Sequence, residues 1–284
     1  MYSQVITRRH RSAFVIAIDQ SSSMSGNVML ACRSMSKAKA VAIITNSLLD
    51  EIILRSTHSD GLRDYYDVAL IGYADQRVYS LTEDEPCFVP VTSLATRNPE
   101  RVEFEVEHLL SSGEKRIVTE SVPGWIRPHA SGSTPMYEML SVVNTLVDEW
   151  CHRPENADSF PPIVFHITDG EPTDCEYQTL RHEAARLRQI STSDGEVLFV
   201  NIHISSEPEE SLVFPRMDEI VGVNQYARLL ADMSSIMPSP FNRAIEELRN
   251  DHARPPFVAM SYNANIVDAF GMLNIGSYSA TNIQ

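Results

Sequence analysis

The order of apolar segments predicts an α/β fold, a parallel sheet covered by helices. Three observations carry that prediction: uninterrupted apolar runs of strand length, helical-period stripes between them, and polar loops of small residues where the runs end. Residues 13–18 (AFVIAI) are wholly apolar, as in a strand buried on both faces. The run closes in a polar loop over 19–26. Between 36 and 55, Val41, Ile44, Leu48 and Ile52 recur at helical spacing, with Lys37, Lys39, Asp50 and Glu51 among them. Residues 66–73 (YDVALIGY) read as a second buried strand and 77–81 as a short strand after a turn.

The stretch 82–128 breaks this rhythm with Pro86, Pro90, Pro99 and Pro123. Alternation at 102–106 (VEFEV) and a second segment at 116–122, separated by a polar turn, predict an inserted β-hairpin with flanking loops. The α/β pattern then resumes. Thr134-Pro135 reads as an N-cap followed by proline at the first helical position, and Met136, Leu140, Val143 and Val147 form the stripe of that helix. A strand at 163–168, a helix at 176–190, a strand at 197–204 and a helix at 225–237 follow. Pro238 and Pro240 punctuate the chain before another helix at 241–250. The expected organisation is a domain over 1–237, with its hairpin region at 82–128, and a helical C-terminal extension over 238–284 packed on it.

Composition narrows the function. The 284 residues are 43% apolar and 21% charged, ordinary for a globular chain. Thirty-eight acidic against 23 basic side chains give a net charge of −15, with no basic block. Nucleic acid and anionic membrane are thereby disfavoured as partners; cations and basic or neutral protein surfaces are favoured. Cys32, Cys87, Cys151 and Cys175 lie far apart without a CxxC pair, as reduced thiols of a cytosolic protein do. The basic run at 8–11 precedes an apolar stretch too short for a signal peptide, and no run nears the roughly 18 apolar residues of a membrane helix. A cytoplasmic protein is expected.

Chemistry concentrates in three loops at strand ends or helix starts: Asp19-Gln-Ser21-Ser-Ser23, Ser131-Gly-Ser-Thr134 and Asp169-Gly170-Glu171. In open α/β sheets ligands bind beyond the carboxyl ends of the strands, where the fold would gather these loops. Two carboxylates and three hydroxyls make an all-oxygen set, which hard divalent cations choose. Asp19 and Asp169 would balance the charge of one such ion.

The D-x-S-x-S run at 19–23, Thr134, and Asp169-Gly170, in this order and at these strand ends, resemble the metal-ion-dependent adhesion site of von Willebrand factor A domains. The resemblance covers roughly residues 12–237. It implies a doubly wound, mostly parallel sheet with helices on both faces and one short antiparallel strand, which 77–81 would supply. It implies that Ser21, Ser23 and Thr134 ligate Mg²⁺, or equally Mn²⁺, directly or through water, with Asp19 and Asp169 acting largely through water. It implies a protein partner presenting a Glu or Asp side chain, and no catalysis. The inserted hairpin resembles the bacterial intracellular TerY-like branch, whose members associate with protein kinases, PP2C-type phosphatases or AAA ATPases in signalling and stress responses. A shift of the last core helix, here 225–237, accompanies capture in related domains.

The competing class is a Mg²⁺-dependent phosphohydrolase of the haloacid-dehalogenase type, which also begins with Asp after the first strand. That chemistry needs a second aspartate two positions on, where this chain has Ser21, and a well-placed lysine, and none is expected near the site loops. An RNA-associated A domain would need a basic patch. His166 and His203, inside expected strands, read as core residues, His129 as rim, and Trp125 as core packing or, alternatively, an interface anchor.

Overall fold

Strand β1, Ser12–Asp19, is buried along all eight residues and divides the molecule into two cores. Phe14, Ile16 and Ile18 face one layer and Ala13, Val15 and Ala17 the other, the two-residue period of a strand covered on both sides. The computed structural model describes residues 2–30, 33–109, 115–205, 211–251, 253–264, 268–269 and 271–273. Cys32 and the hairpin turn expected around 111–114 lie outside them.

The further elements follow in chain order. A small hairpin, β2 (Asn27–Leu30) and β3 (Arg33–Ser36), leads into α1 (Lys37–Arg55), whose N-cap Ser36 side chain accepts from the Lys39 N–H. Next come β4 (Tyr66–Ala74), β5 (Arg77–Ser80), β6 (Val89–Pro90) and α2 (Val91–Thr96). The inserted hairpin is β7 (Arg101–Leu109) against β8 (Lys115–Pro123), antiparallel as expected. Its exit is clamped to α1, because Asn46 donates to the Ile126 carbonyl and accepts from the Ile126 N–H. Then follow α3 (Met136–Cys151), β9 (Ile163–Thr168), α4 (Tyr177–Gln189), β10 (Leu198–Ile204), β11 (Leu212–Val213), α5 (Gln225–Met233), α6 (Asn242–Arg249) and β12 (Met260–Ala264).

The sheet order is β11-β12-β10-β9-β1-β4-β5, with β6 also paired to β4. Strands β12, β10, β9, β1 and β4 run parallel. Helices α1, α2 and α6 contribute to the core on the Phe14 face, and α3, α4 and α5 to the core on the Val15 face. This is the parallel sheet covered by helices that the segment order predicts, doubly wound as the resemblance implies. Antiparallel pairing is broader than the one short strand implied: besides β5, β6 and β11 also run antiparallel. All three are short strands towards the rims of the sheet, where short pieces limit the exposed hydrogen-bonding edge.

Two expectations about the C-terminal region are corrected. Helix α5 stops at Met233 rather than 237 because the following backbone joins the sheet. The Ser235 N–H donates to Phe199 O (2.9 Å), its hydroxyl accepts from the Phe199 N–H (2.9 Å), and its carbonyl accepts from Ala259 N–H (2.8 Å). In the described part of 238–284, α6 packs on the core through Ile245 as a helical extension would, but the segment also completes the sheet. Met260–Ala264 is a fully buried strand running parallel to β10 inside the central sheet. Among the described residues no helix is long and apolar enough to cross a membrane.

Candidate functional site

The order in which strands are added reverses around β1: β4 lies on one side of it and β9 on the other. The crevice beyond their carboxyl ends is the switch point where α/β sheets place ligands. Asp19 is the last residue of β1, and Asp169 immediately follows β9. Three short contacts stitch the loops there. Gln20 N–H donates to Tyr73 O (3.0 Å), Ser131 N–H to Gln20 O (2.8 Å), and Ser22 N–H to Gly132 O (3.1 Å). Gly132 is required at this junction. Its φ is +69°, and a Cβ there would lie 2.5 Å from the Asp75 Cβ.

Four of the five expected ligand residues form one hydrogen-bonded run. The Asp19 Oδ1 accepts from Ser21 N–H (2.8 Å). Ser21 Oγ and Ser23 Oγ are 3.0 Å apart, and Ser23 Oγ donates to Asp169 Oδ1 (2.5 Å). The second oxygen of Asp19 accepts from the Thr168 hydroxyl (2.8 Å). Thr134 is buried and enters through its loop; no hydrogen bond joins its hydroxyl to the other four among the described residues. Its backbone is tied to Thr173 in both directions, N–H to Thr173 Oγ1 at 2.9 Å and carbonyl to Thr173 N–H at 3.1 Å. Nor does Thr134 cap α3. Asp174 does, with Oδ2 accepting from the N–H groups of Tyr137 (2.9 Å) and Glu138 (3.1 Å).

Burial raises the Asp19 carboxyl to about 6, against the hydrogen bonds from Ser21 and Thr168, while the nearby Asp169 charge pushes the same way as burial. A positive charge placed beside Asp19 would lower it again. His203, lying beside Thr168 in register, is lowered to about 4, first by burial and then by Lys37.

Lys37 is the residue that sequence reasoning missed. Its Nζ lies 3.0 Å from Asp169 Oδ2, the lysine side chain 12% exposed and the aspartate side chain not at all. The expectation that no lysine lies near the site loops is overturned, because α1 supplies one. A signal for it existed: Lys37 opens a helix whose first turn has no acidic residue, where the helix dipole disfavours a cation. Of the other candidates, Trp125 is buried and donates Nε1–H to Leu94 O (3.1 Å), and His166 is wholly buried. His129 is exposed beside Ser131, 2.8 Å from its hydroxyl.

A divalent cation fits the chemistry of this cluster, since the donors are hard oxygens and the buried Asp19 calls for positive charge. Among the described residues no three His, Cys, Asp or Glu side chains converge as a metal cage. Any ion here would rest on two carboxylates and the hydroxyls.

Fold and site together define an open, doubly wound α/β protein with an oxygen-lined, two-carboxylate cluster at its switch point. No family model and no curated protein matches the chain. Among solved structures it is similar to a von Willebrand factor type A protein from Catenulispora acidiphila, at 14% identity, over 79% of this chain and 43% of that one, with a TM-score of 0.43. It is similar also to proximal thread matrix protein 1 of the mussel byssus, whose structure has a zinc-occupied MIDAS motif. There identity is 15%, over 71% of this chain and 37% of that one, with a TM-score of 0.40. A third is the vWF domain of the pili tip protein Mfa5 from Porphyromonas gingivalis, at 14% identity, over 58% and 39%, with a TM-score of 0.34. The match spans about two fifths of each of these chains. The architecture stands on the strand order itself, independently of these shallow likenesses.

Proposed function

We propose that this chain is a von Willebrand factor A-type protein-binding module, not an enzyme. In this reading Asp19, Ser21, Ser23, Thr134 and Asp169 hold a divalent cation, Mg²⁺ or Mn²⁺, and through it an acidic side chain of a partner protein. The observation that carries the reading is the continuous run from Asp19 through Ser21 and Ser23 to Asp169, which joins two strand ends 150 residues apart at the switch point. When bound, the ion would supply two positive charges and an open coordination position for an anionic oxygen. Asp19 and Asp169 would balance the ion, the hydroxyls would serve as neutral donors, and Gly132 lets the Thr134 loop close over the site. The free thiols of Cys87, Cys151 and Cys175 support a reducing compartment, the cytoplasm. By the TerY-like resemblance the partner is a kinase, a PP2C-type phosphatase or an AAA ATPase of a bacterial signalling or stress-response complex, with this chain as adaptor or regulatory subunit.

The test pairs capture with a thermal melt, each in Mg²⁺ and in EDTA. Metal at 100 times its dissociation constant adds about 2.7 kcal/mol, a rise of several degrees. Asp169→Asn is expected to remove both that rise and the Mg²⁺-dependent partner. Identical melts and identical captured proteins in Mg²⁺ and EDTA would exclude the metal-mediated contact.

Lys37 is a specific observation in favour of the second reading, a Mg²⁺-dependent phosphohydrolase, because it places an ammonium beside Asp169. Ser21 still stands where that chemistry needs its second carboxylate. Mg²⁺-dependent hydrolysis of p-nitrophenyl phosphate, lost in Asp19→Asn, would establish the enzyme; its absence leaves the binding module.

A further inference from the structure

We propose that Lys37 is the resident counter-ion of the site: its ammonium holds Asp169 when no metal is bound, must leave for a divalent ion to enter, and so sets the affinity for that ion. The inference rests on the metal-site reading above and concerns a residue outside the expected ligand set.

Four observations carry it. The first is occupancy. Both oxygens of Asp169 are already engaged, Oδ1 by the Ser23 hydroxyl at 2.5 Å and Oδ2 by Lys37 Nζ at 3.0 Å. An ion ligated through Ser23 and Asp169 has to enter where those protons now lie. The second is burial: with the Asp169 side chain fully buried and that of Lys37 12% exposed, water screens this pair only weakly. The third is charge. Two carboxylates and one ammonium leave one net negative charge, half of what balances a divalent cation. A cluster that kept the ammonium and took up the ion would hold an uncompensated positive charge in a poorly screened place.

The fourth is placement. Lys37 is the first residue of α1, at the positive end of the helix dipole, and the first turn carries no acidic residue to offset it. Its backbone is locked to the serine loop: Lys37 N–H donates to Gly26 O (2.7 Å), and Gly26 N–H donates to Ser23 O (2.9 Å). The turn that presents Ser23 is thus bonded directly to the start of the helix that carries Lys37, so an ion and the ammonium compete for one carboxylate from one structural unit. The tether makes the lysine a cation at fixed, high effective concentration. Its four-carbon stem lets the ammonium swing to solvent without moving the helix.

Because binding couplings are reciprocal, whatever the ion does to the Lys37–Asp169 contact, Lys37 does to ion affinity. The experiment titrates Mn²⁺ alone into the full chain by calorimetry, comparing wild type, Lys37→Met and Lys37→Arg, with melts of each in EDTA. Lys37→Met is expected to bind Mn²⁺ about tenfold or more tighter, within the typical range of such couplings, and to melt below wild type in EDTA. Lys37→Arg, which keeps the charge, is expected to bind as wild type does. Lys37→Gln serves in the same role should the methionine variant not fold. Equal or weaker binding by the neutral variants overturns the inference while the metal site stands, and so does tightening by Lys37→Arg as large as that by Lys37→Met. Absence of Mn²⁺ binding in every variant overturns the metal reading itself and this inference with it.

Discussion

His166 lies within β9, wholly buried, and both ring nitrogens are engaged. Nδ1 is 2.8 Å from Asn201 Oδ1, which only accepts, so the proton sits on Nδ1 and Nε2 accepts the Tyr73 hydroxyl at 2.6 Å. Burial lowers the imidazole from 6.5 to about 4. The folded state therefore holds His166 neutral where the unfolded chain would protonate it. Its contribution to stability is fully present above pH 6.5 and lost as pH falls from there towards 4, about 3 kcal/mol in all. Urea unfolding in EDTA between pH 7 and pH 4 is expected to show a falling midpoint, with a slope reduced in His166→Gln. Equal slopes in the two proteins would contradict a buried neutral histidine. The same contrast between chain-local and spatial information explains which site residues could be read in advance. Asp19, Ser21, Ser23 and Asp169 announce themselves because each stands in a polar loop directly after an apolar run. Lys37 does not: 132 positions separate it from Asp169, and only the packing of α1 on the sheet brings them together.

At the scale of the element, α3 shows how a correct helix can have an incorrectly read beginning. Its stripe of Met136, Leu140, Val143 and Val147 is legible and buried as expected. Thr134-Pro135 has the composition of a cap, yet the Thr134 side chain leaves α3 uncapped, and the carboxylate of Asp174 takes that role from the loop before α4. A cap borrowed from another loop leaves no local trace, which is why the sequence pattern misassigned it. Asp174→Ala is expected to cost about 0.5–2 kcal/mol, the usual loss on removing an acidic or hydroxyl cap. Asp174→Asn, which keeps an acceptor, should cost less. Thermal melts of the two variants in EDTA check this, and Asp174→Ala melting with wild type would show that α3 does not depend on the contact. The loop it stabilises runs from Asp169 to α4, so under the proposed metal-site reading a weakened cap should also lower metal affinity.

For the whole molecule, the arrangement of the sheet decides where the folding unit ends. The alternation of apolar runs and helical stripes predicts β4 and β5, which lie on one side of β1, and β9 and β10, which lie on the other, but β12 could not be read. Its five residues, MSYNA, carry neither an apolar run nor a clean alternation, and only their place beside β10 buries them. Without β12, the Asn201–Ile204 edge of β10 would lose its parallel partner, and Ile202 and Ile204, both buried, would face solvent along an unpaired strand. Val258, Ala259 and Met260, all wholly buried, would also leave the two cores. Loss of that much apolar burial exceeds the margin by which domains of ordinary stability stay folded. A chain ending at residue 237, the boundary that the proline pair suggests, is therefore expected to aggregate or to lack a cooperative melt, while the full chain unfolds cooperatively. Size-exclusion chromatography with a thermal melt distinguishes the outcomes. A monomeric 1–237 fragment with a sharp transition would mean that the first eleven strands hold together without β12, and that the C-terminal strand closes a sheet already stable on its own.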